Sequence, residues 1–192
     1  MSEVDFAISI ALGIGLAAAT GLRIFLPMLV ISAAANGGYL PLSDGFGWLA
    51  TPAALIMLAV AALAEILAYY IPGVDNLLDA LATPAAFIAG TIVAAAVMTD
   101  LPPIVKWTAA VIAGGGAAGL TQSATTTVRA HSSALTIGLG NPVIATAELG
   151  GSLILSLLAL AAPFAALAVV ALFAWLAWRF LRRLSRPSQG SG

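Results

Sequence analysis

The sequence predicts an all-α, polytopic membrane protein from three observations: its composition, its succession of apolar segments and the turn residues between them. Apolar residues make up 61% of the 192 residues, Asp, Glu, Lys and Arg make up only 8%, and the mean hydropathy is +1.08. A soluble domain is about 25% charged, and a domain of this size needs polar groups to cover its surface. The surroundings of most of the chain are therefore expected to be a lipid bilayer.

The charge balance and the residue inventory exclude several classes of function. Seven basic and eight acidic residues give a net charge of −1, which leaves no basic face for a phosphate backbone and excludes nucleic-acid binding. The absence of Cys excludes disulfides, thiolate catalysis and Cys-ligated metal centres. No cofactor is expected. The first residues lack the positive region of a cleaved signal peptide, so the first apolar segment is expected to be retained.

Pro, Gly and charged residues divide the chain into about six apolar stretches, each near the roughly 20 residues that a membrane-spanning helix needs. The first is too long for one straight span and is interrupted between Thr20 and Arg23 and at Pro27. Thr51 and Pro52 are typical of an N-cap and first helical residue. The first helix is expected over 6–35 and is broken, the second over 52–71, and the third over about 76–99 with a kink at Pro84. The fourth is expected to begin near 104, and the fifth and sixth to cover 142–162 and 163–186.

The fourth of these helices contains a glycine-rich stretch, 114–119, that permits either close helix approach or unwinding. We expect one transmembrane domain over 1–186, followed by a flexible tail at 187–192.

A weak internal repeat is visible between residues 6–99 and 103–185. In each half an Arg precedes a helix that starts with Pro and carries a Glu: Arg23 and Glu65 in the first, Arg129 and Glu148 in the second. Three spans per half would give the two copies opposite orientations, as in the inverted repeats of transporters. The repeat hypothesis thus predicts interrupted first and fourth helices.

Basic residues at helix ends predict the orientation. Arg179, Arg182, Arg183 and Arg186 follow the last span and place the C-terminus in the cytoplasm. An even count of six spans would place the N-terminus there too. Lys106 opposes this prediction but is outnumbered. The expected location is the bacterial inner (cytoplasmic) membrane.

Ionisable residues inside the apolar spans are the candidate functional groups, because each costs about 2.5 to 3.5 kcal/mol on insertion scales. An arginine cannot lose its proton and needs a carboxylate or several carbonyls nearby. Glu65 is expected to pair with Arg23, and Glu148 with Arg129. The whole set is Arg23, Glu65, Asp75, Asp79, Arg129, His131 and Glu148.

Asp75 and Asp79 are spaced to share one face of a helix and resemble half of a cation site. Asp75 as the N-cap of its helix is the alternative. Counted together, the carboxylates outnumber the arginines, which favours a pathway for protons or small cations.

The segment from Thr121 to Ser133 is too polar to face lipid. Hydroxyls such as those of Thr125 and Ser132, with carbonyls freed by an unwound helix, could line an ion or substrate site. The alternative is that they only bond helix to helix. For His131 a role at a helix end is favoured over a proton relay.

The chain resembles a family of bacterial integral membrane proteins, the domain of unknown function 4126 family. The resemblance covers about residues 8–163. Its elements are Gly21-Leu-Arg23-Ile-Phe-Leu-Pro27, Glu65, Ile71-Pro-Gly-Val-Asp75 with Asp79, Gly119-Leu-Thr, Arg129, Ser132-Ser133 and Asn141-Pro142 through Glu148 to Ser152. Tyr69-Tyr70 stands where the family pattern has Asp-Lys. The resemblance implies no activity, but it implies that Arg23, Glu65, Asp75, Arg129 and Glu148 form one motif set.

These observations favour a secondary transporter or ion-coupled carrier with an intramembrane carboxylate/Arg site, whose partners would be the lipid bilayer and a proton, cation or small-molecule substrate. The alternative is a structural or assembly protein whose Arg/Glu pairs hold helices together. A lipid-modifying enzyme is less favoured, since no catalytic motif is present. The sequence does not determine whether a metal is bound, which substrate is carried or whether the protein forms a homo-oligomer.

Overall fold

The computed structural model describes residues 3–71, 74–99 and 101–184, and the described residues are helical with no strand. The predicted all-α class is confirmed. The helices are α1 (Glu3–Thr20), α2 (Phe25–Asn36), α3 (Pro52–Ala68), α4 (Val74–Val97), α5 (Pro103–Ala109), α6 (Gly116–Thr136), α7 (Asn141–Ala161) and α8 (Pro163–Leu184). The expected tail at 187–192 and Arg186 lie outside the described residues.

Helices α5 and α6 are parts of one continuous helix, since a π-helical segment, Ala110–Gly115, joins them. Four helices of the described chain are long and apolar enough to cross a membrane: Glu3–Thr20, Leu77–Val97, Pro103–Thr136 and Asn141–Ala161. Three shorter helices are also apolar: Phe25–Asn36, Pro52–Ala68 and Pro163–Arg179. The count of six spans is therefore not confirmed, whereas the membrane character is supported.

The predicted interruption of the first helix is confirmed, but α2 does not continue the direction of α1. Ser9 near the start of α1 bonds the carbonyl of Val97 at the end of α4. The loop after α2 returns to that same end, where Ser43 bonds the carbonyls of Ala95 and Ala96. Helices α1 and α2 therefore form a hairpin, and its turn is tight because Gly21 lies directly against the α6 backbone.

The fourth predicted helix is not unwound at its glycines, in contrast to the interruption that the repeat hypothesis requires. A Cβ at Gly114 would lie 2.5 Å from the Cβ of Ala94, and one at Gly90 would overlap Ala118. The glycines thus let α4 pack closely against the π-helical segment and α6, the other outcome that the composition permitted. With four helices before residue 100 and a hairpin at the start, the inverted three-helix repeat is not confirmed.

The remaining predicted boundaries agree with the structure to within a few residues. Thr51 caps α3, accepting a bond of 3.2 Å from the backbone N–H of Ala54, with Pro52 as the first helical residue. Pro84 lies inside α4, which runs on through it. The core lies along α1, whose residues 15–20 are all buried and which packs against α4, α6, α7 and α8. This packing brings the ends of several helices together around the last turn of α1.

Candidate functional site

The centre of the site is Glu148, which pairs with both buried arginines. Its Oε2 lies 3.0 Å from Arg23 Nη1 and also accepts from Arg129 Nη2. The exposed fractions are 2% for each arginine and 5% for Glu148. Arg23 also donates from Nη2 to the carbonyl of Ala145, at 2.9 Å, one turn before Glu148 on α7. One carboxylate of α7 therefore joins the turn between α1 and α2 to α6.

Asp79 supplies the second carboxylate of this group. Its Oδ2 lies 3.3 Å from Arg129 Nε, and the residue is 8% exposed. Asp79, which the sequence suggested as part of a cation site with Asp75, thus contacts an arginine. The side chain of Asp75 lies outside the described residues, although α4 begins at Val74. Within the described chain no group of three His, Cys, Asp or Glu could hold a metal ion.

Tyr69 contacts both arginines through its ring and was not predicted as part of the site. Its ring centroid is 4.0 Å from Cζ of Arg23 and 4.5 Å from Cζ of Arg129. Cation–π contacts of this kind are strongest where water is excluded, and Tyr69 is buried. The spacing could have revealed it, because Tyr69 lies one helical turn after Glu65 and so shares its face.

Glu65 occupies a different position from the one expected, and its predicted ion pair with Arg23 is not formed among the described residues. Its two carboxylate oxygens accept from the backbone N–H groups of Ile24, at 2.8 Å, and Phe25, at 3.0 Å. These N–H groups belong to the first turn of α2, where they have no partners within the helix. A carboxylate is favoured there by the helix dipole. Glu65 thus caps α2 from the neighbouring helix α3.

The polar segment of α6 is a regular helix in which several hydroxyls bond its own backbone, while Ser133 accepts from the side-chain amide of Asn141 on α7. Thr125 donates to the carbonyl of Gln122, at 3.0 Å, and Thr127 to that of Ser123, at 2.8 Å. Ser132 is half-buried and packs beside Gly140. His131 is exposed and bonds the carbonyl of Thr127. The structure therefore brings neither Thr125 nor Ser132 into the arginine–carboxylate group.

The buried group lies near one end of the bundle. Arg129 precedes the end of α6 at Thr136 by 7 residues (136 − 129), and Glu148 follows the start of α7 at Asn141 by 7 (148 − 141). At about 1.5 Å per residue, both lie about 10 Å from those helix ends. The C-terminal end of α3 and the N-terminal turns of α4 meet there too, through Tyr69 and Asp79.

The formal charges of the group cancel, since two arginines face Glu148 and Asp79. Glu65 is directed to a helix N-terminus instead, so the expected surplus of negative charge is not present at this point. Some hydrogen-bonding capacity remains: Glu148 Oε1, Arg23 Nε and Arg129 Nη1 are buried and have no hydrogen-bond partner among the described residues.

The apolar helices, four of which are long enough to cross a membrane within the described residues, indicate a membrane protein with a buried group of two arginines and two carboxylates. Residues 10–183 match the family model described as "Domain of unknown function (DUF4126)". The chain belongs to this family, as the resemblance implied, and the match covers nearly its whole length. No curated protein and no solved structure matches it.

Proposed function

We propose that this protein is a proton-coupled membrane carrier whose proton-binding group is Glu148. The observation that carries the proposal is the shared carboxylate: one oxygen of Glu148 neutralises two buried guanidiniums while its other oxygen has no hydrogen-bond partner among the described residues. Ionisable groups buried in membrane helices are costly and commonly mark substrate or proton pathways. A group that holds two arginines at once is suited to coupling protonation to helix position.

Protonation of Glu148 would change the contacts of three helices together. A neutral carboxyl group no longer compensates Arg23 and Arg129, and an uncompensated buried charge is strongly destabilising. Helices α6 and α7, together with the turn that follows α1, would then favour a second packing arrangement. Two alternative arrangements, selected by a bound proton, are what a coupled carrier requires.

A proton fits this site better than a metal cation does. Oε2 of Glu148 is paired with the guanidiniums of Arg23 and Arg129, which repel a metal cation, and the described residues contain no group of three His, Cys, Asp or Glu that could coordinate one. Of the two ions that the sequence analysis favoured, a proton or a small cation, the proton is therefore the one proposed.

The bacterial inner membrane stays a prediction. Cytoplasmic placement of the C-terminus depends on the arginines after the last span, and that of the N-terminus depends on six crossings, a count that is not confirmed. The sidedness of the bundle therefore has to be measured directly.

A second candidate function is structural, because Glu148, Asp79 and Tyr69 tie α1, α3, α4, α6 and α7 around the two arginines. In this alternative the group only holds helices together, for the protein itself or for an assembly. It predicts a loss of stability when Glu148 is replaced, with no proton movement in the wild-type protein.

Proton flux in vesicles tests the proposal. Purified protein is reconstituted into liposomes that contain a pH-sensitive dye, and an acid-outside gradient is imposed in a mixture of inorganic salts, amino acids and organic acids. We expect faster internal acidification than in empty vesicles and its loss in Glu148→Gln. Asp44→Asn, which removes an exposed loop carboxylate, is the matched control and should behave as wild type. Wild-type flux equal to that of empty vesicles would overturn the proposal.

A further inference from the structure

We infer that Arg23 and Arg129 form a binding site for a small monovalent oxyanion, of the carboxylate class, that replaces Glu148 when Glu148 is protonated. This inference rests on the proposed function and names the class of its co-transported substrate. The protein would then carry a proton and an anion together, in an electroneutral step.

Glu148 itself shows that the site accepts a carboxylate. A single oxygen of this residue accepts a charge-assisted hydrogen bond from Arg129 on α6 and pairs at 3.0 Å with Arg23 in the turn after α1. Such bonds are among the strongest that a carboxylate makes, and arginine suits them through its planar set of donors. A free carboxylate ion offers the same acceptor atoms as the Glu148 side chain that it would replace.

The two guanidiniums have donors to spare for a ligand with two oxygens. Besides its carboxylate partner, Arg23 donates to the carbonyls of Leu22 and Ala145, and Arg129 is in contact with Asp79. Arg23 Nε and Arg129 Nη1 are buried and have no hydrogen-bond partner within the described residues. Buried donors of this kind carry a substantial desolvation penalty, which an oxyanion with a second acceptor atom would relieve.

The net charge of the group of two arginines and two carboxylates favours a monovalent anion. With Glu148 and Asp79 ionised, the group of two arginines and two carboxylates is neutral. One proton on Glu148 leaves a net charge of +1 in a nonpolar environment, and one monovalent anion restores neutrality. Arginine keeps its proton under all these conditions. Each ligand therefore favours binding of the other, and by linkage the coupling is reciprocal.

Tyr69 keeps the arginines in place when the carboxylate leaves. The Cζ atoms of both guanidiniums lie over its ring, at 4.0 Å and 4.5 Å from the ring centroid. Stacking on a guanidinium face leaves the N–H groups at the edges free for an anion. The ring thus continues to position the two guanidiniums for an anion when Glu148 is protonated.

Formate is the probe because it is a small carboxylate. Formic acid is a stronger acid than acetic acid, so formate stays ionised in mildly acidic solution. Binding to the purified protein in detergent is measured by calorimetry, with chloride at equal ionic strength as reference and sulfate as the divalent comparison. We expect the affinity of the wild-type protein for formate to fall by about tenfold for each pH unit above the acidic range, as uptake of one proton requires. Sulfate should bind more weakly than formate.

The variant Glu148→Gln imitates the protonated residue, so it should bind formate with an affinity independent of pH and without proton uptake. Asp44→Asn should bind as wild type does. If Glu148→Gln does not fold, the proton count of the wild-type protein decides the matter. Formate binding no stronger than chloride binding, sulfate binding as strong as formate binding, or formate binding without proton uptake would each overturn the inference.

The two proposals fail separately. Formate binding coupled to proton uptake, in a protein that moves no protons in vesicles, supports the anion site and rejects the carrier. Proton flux that depends on Glu148, in a protein that does not bind formate, supports the carrier and rejects this class of substrate.

Discussion

Arg23 and Glu148 form an ion pair across the two halves of the chain, with 3.0 Å between Nη1 and Oε2. The sequence suggested a partner for Arg23 within its own half, Glu65, which instead caps α2. The pair places a carboxylate of α7 at the turn between α1 and α2. The stability of that turn therefore depends on residues far away in the sequence.

The choice of partner can be measured by double-mutant cycles on unfolding in detergent. Arg23→Gln and Glu148→Gln should show a coupling of about 1 to 3 kcal/mol, because the two side chains are in direct contact. Arg23→Gln with Glu65→Gln should show a smaller coupling, since Glu65 binds backbone N–H groups. A larger coupling for Glu65 than for Glu148 would contradict the contacts described above.

Removal of the shared carboxylate should be costly. Glu148→Ala leaves two guanidiniums without their common anion, and we expect a loss of about 3 to 5 kcal/mol of unfolding free energy. Asp44→Asn is the control, and its exposed carboxylate should contribute within about 0.5 kcal/mol. Thermal unfolding followed by circular dichroism measures both, and equal midpoints for the two variants would show that the ion pairs contribute nothing.

Tyr69 should act through its ring. Tyr69→Phe keeps an aromatic face over both guanidiniums, whereas Tyr69→Leu removes it and should cost about 2 kcal/mol more, the value of a desolvated cation–π contact. The same unfolding measurement compares the two variants. If phenylalanine is as destabilising as leucine, the hydroxyl rather than the ring is the important group.

Close packing of α4 against the continuous α5–α6 helix predicts a difference between two glycines. Gly114→Ala would place a Cβ 2.5 Å from that of Ala94, and overpacking of this kind costs about 1 to 3 kcal/mol. Gly116→Ala is the matched control, because a Cβ there meets nothing within 4 Å. It should be neutral or stabilise the helix by up to about 1 kcal/mol. Similar effects at both positions would be inconsistent with the packing.

Much of the fold could be predicted because its signals are local. Thr51 and Pro52 mark a helix start through the backbone geometry and capping bonds of their own turn, and the structure confirms it. The direction of α2 was not predictable, since the residues between Thr20 and Phe25 allow either a kink or a reversal. Only the packing of the following loop against the end of α4 distinguishes the two.

The composition of the chain determined its nonpolar surroundings, its helical class and the residues whose burial would be costly, because the sequence alone fixes charge and hydropathy. Tertiary structure decided which of those residues meet. An ion pair depends on distance in space, and the packing of α1 against α4, α6 and α7 brings Arg23, Arg129, Asp79 and Glu148 together. The same packing leaves Thr125 and Ser132 outside the group, although their composition had suggested a site.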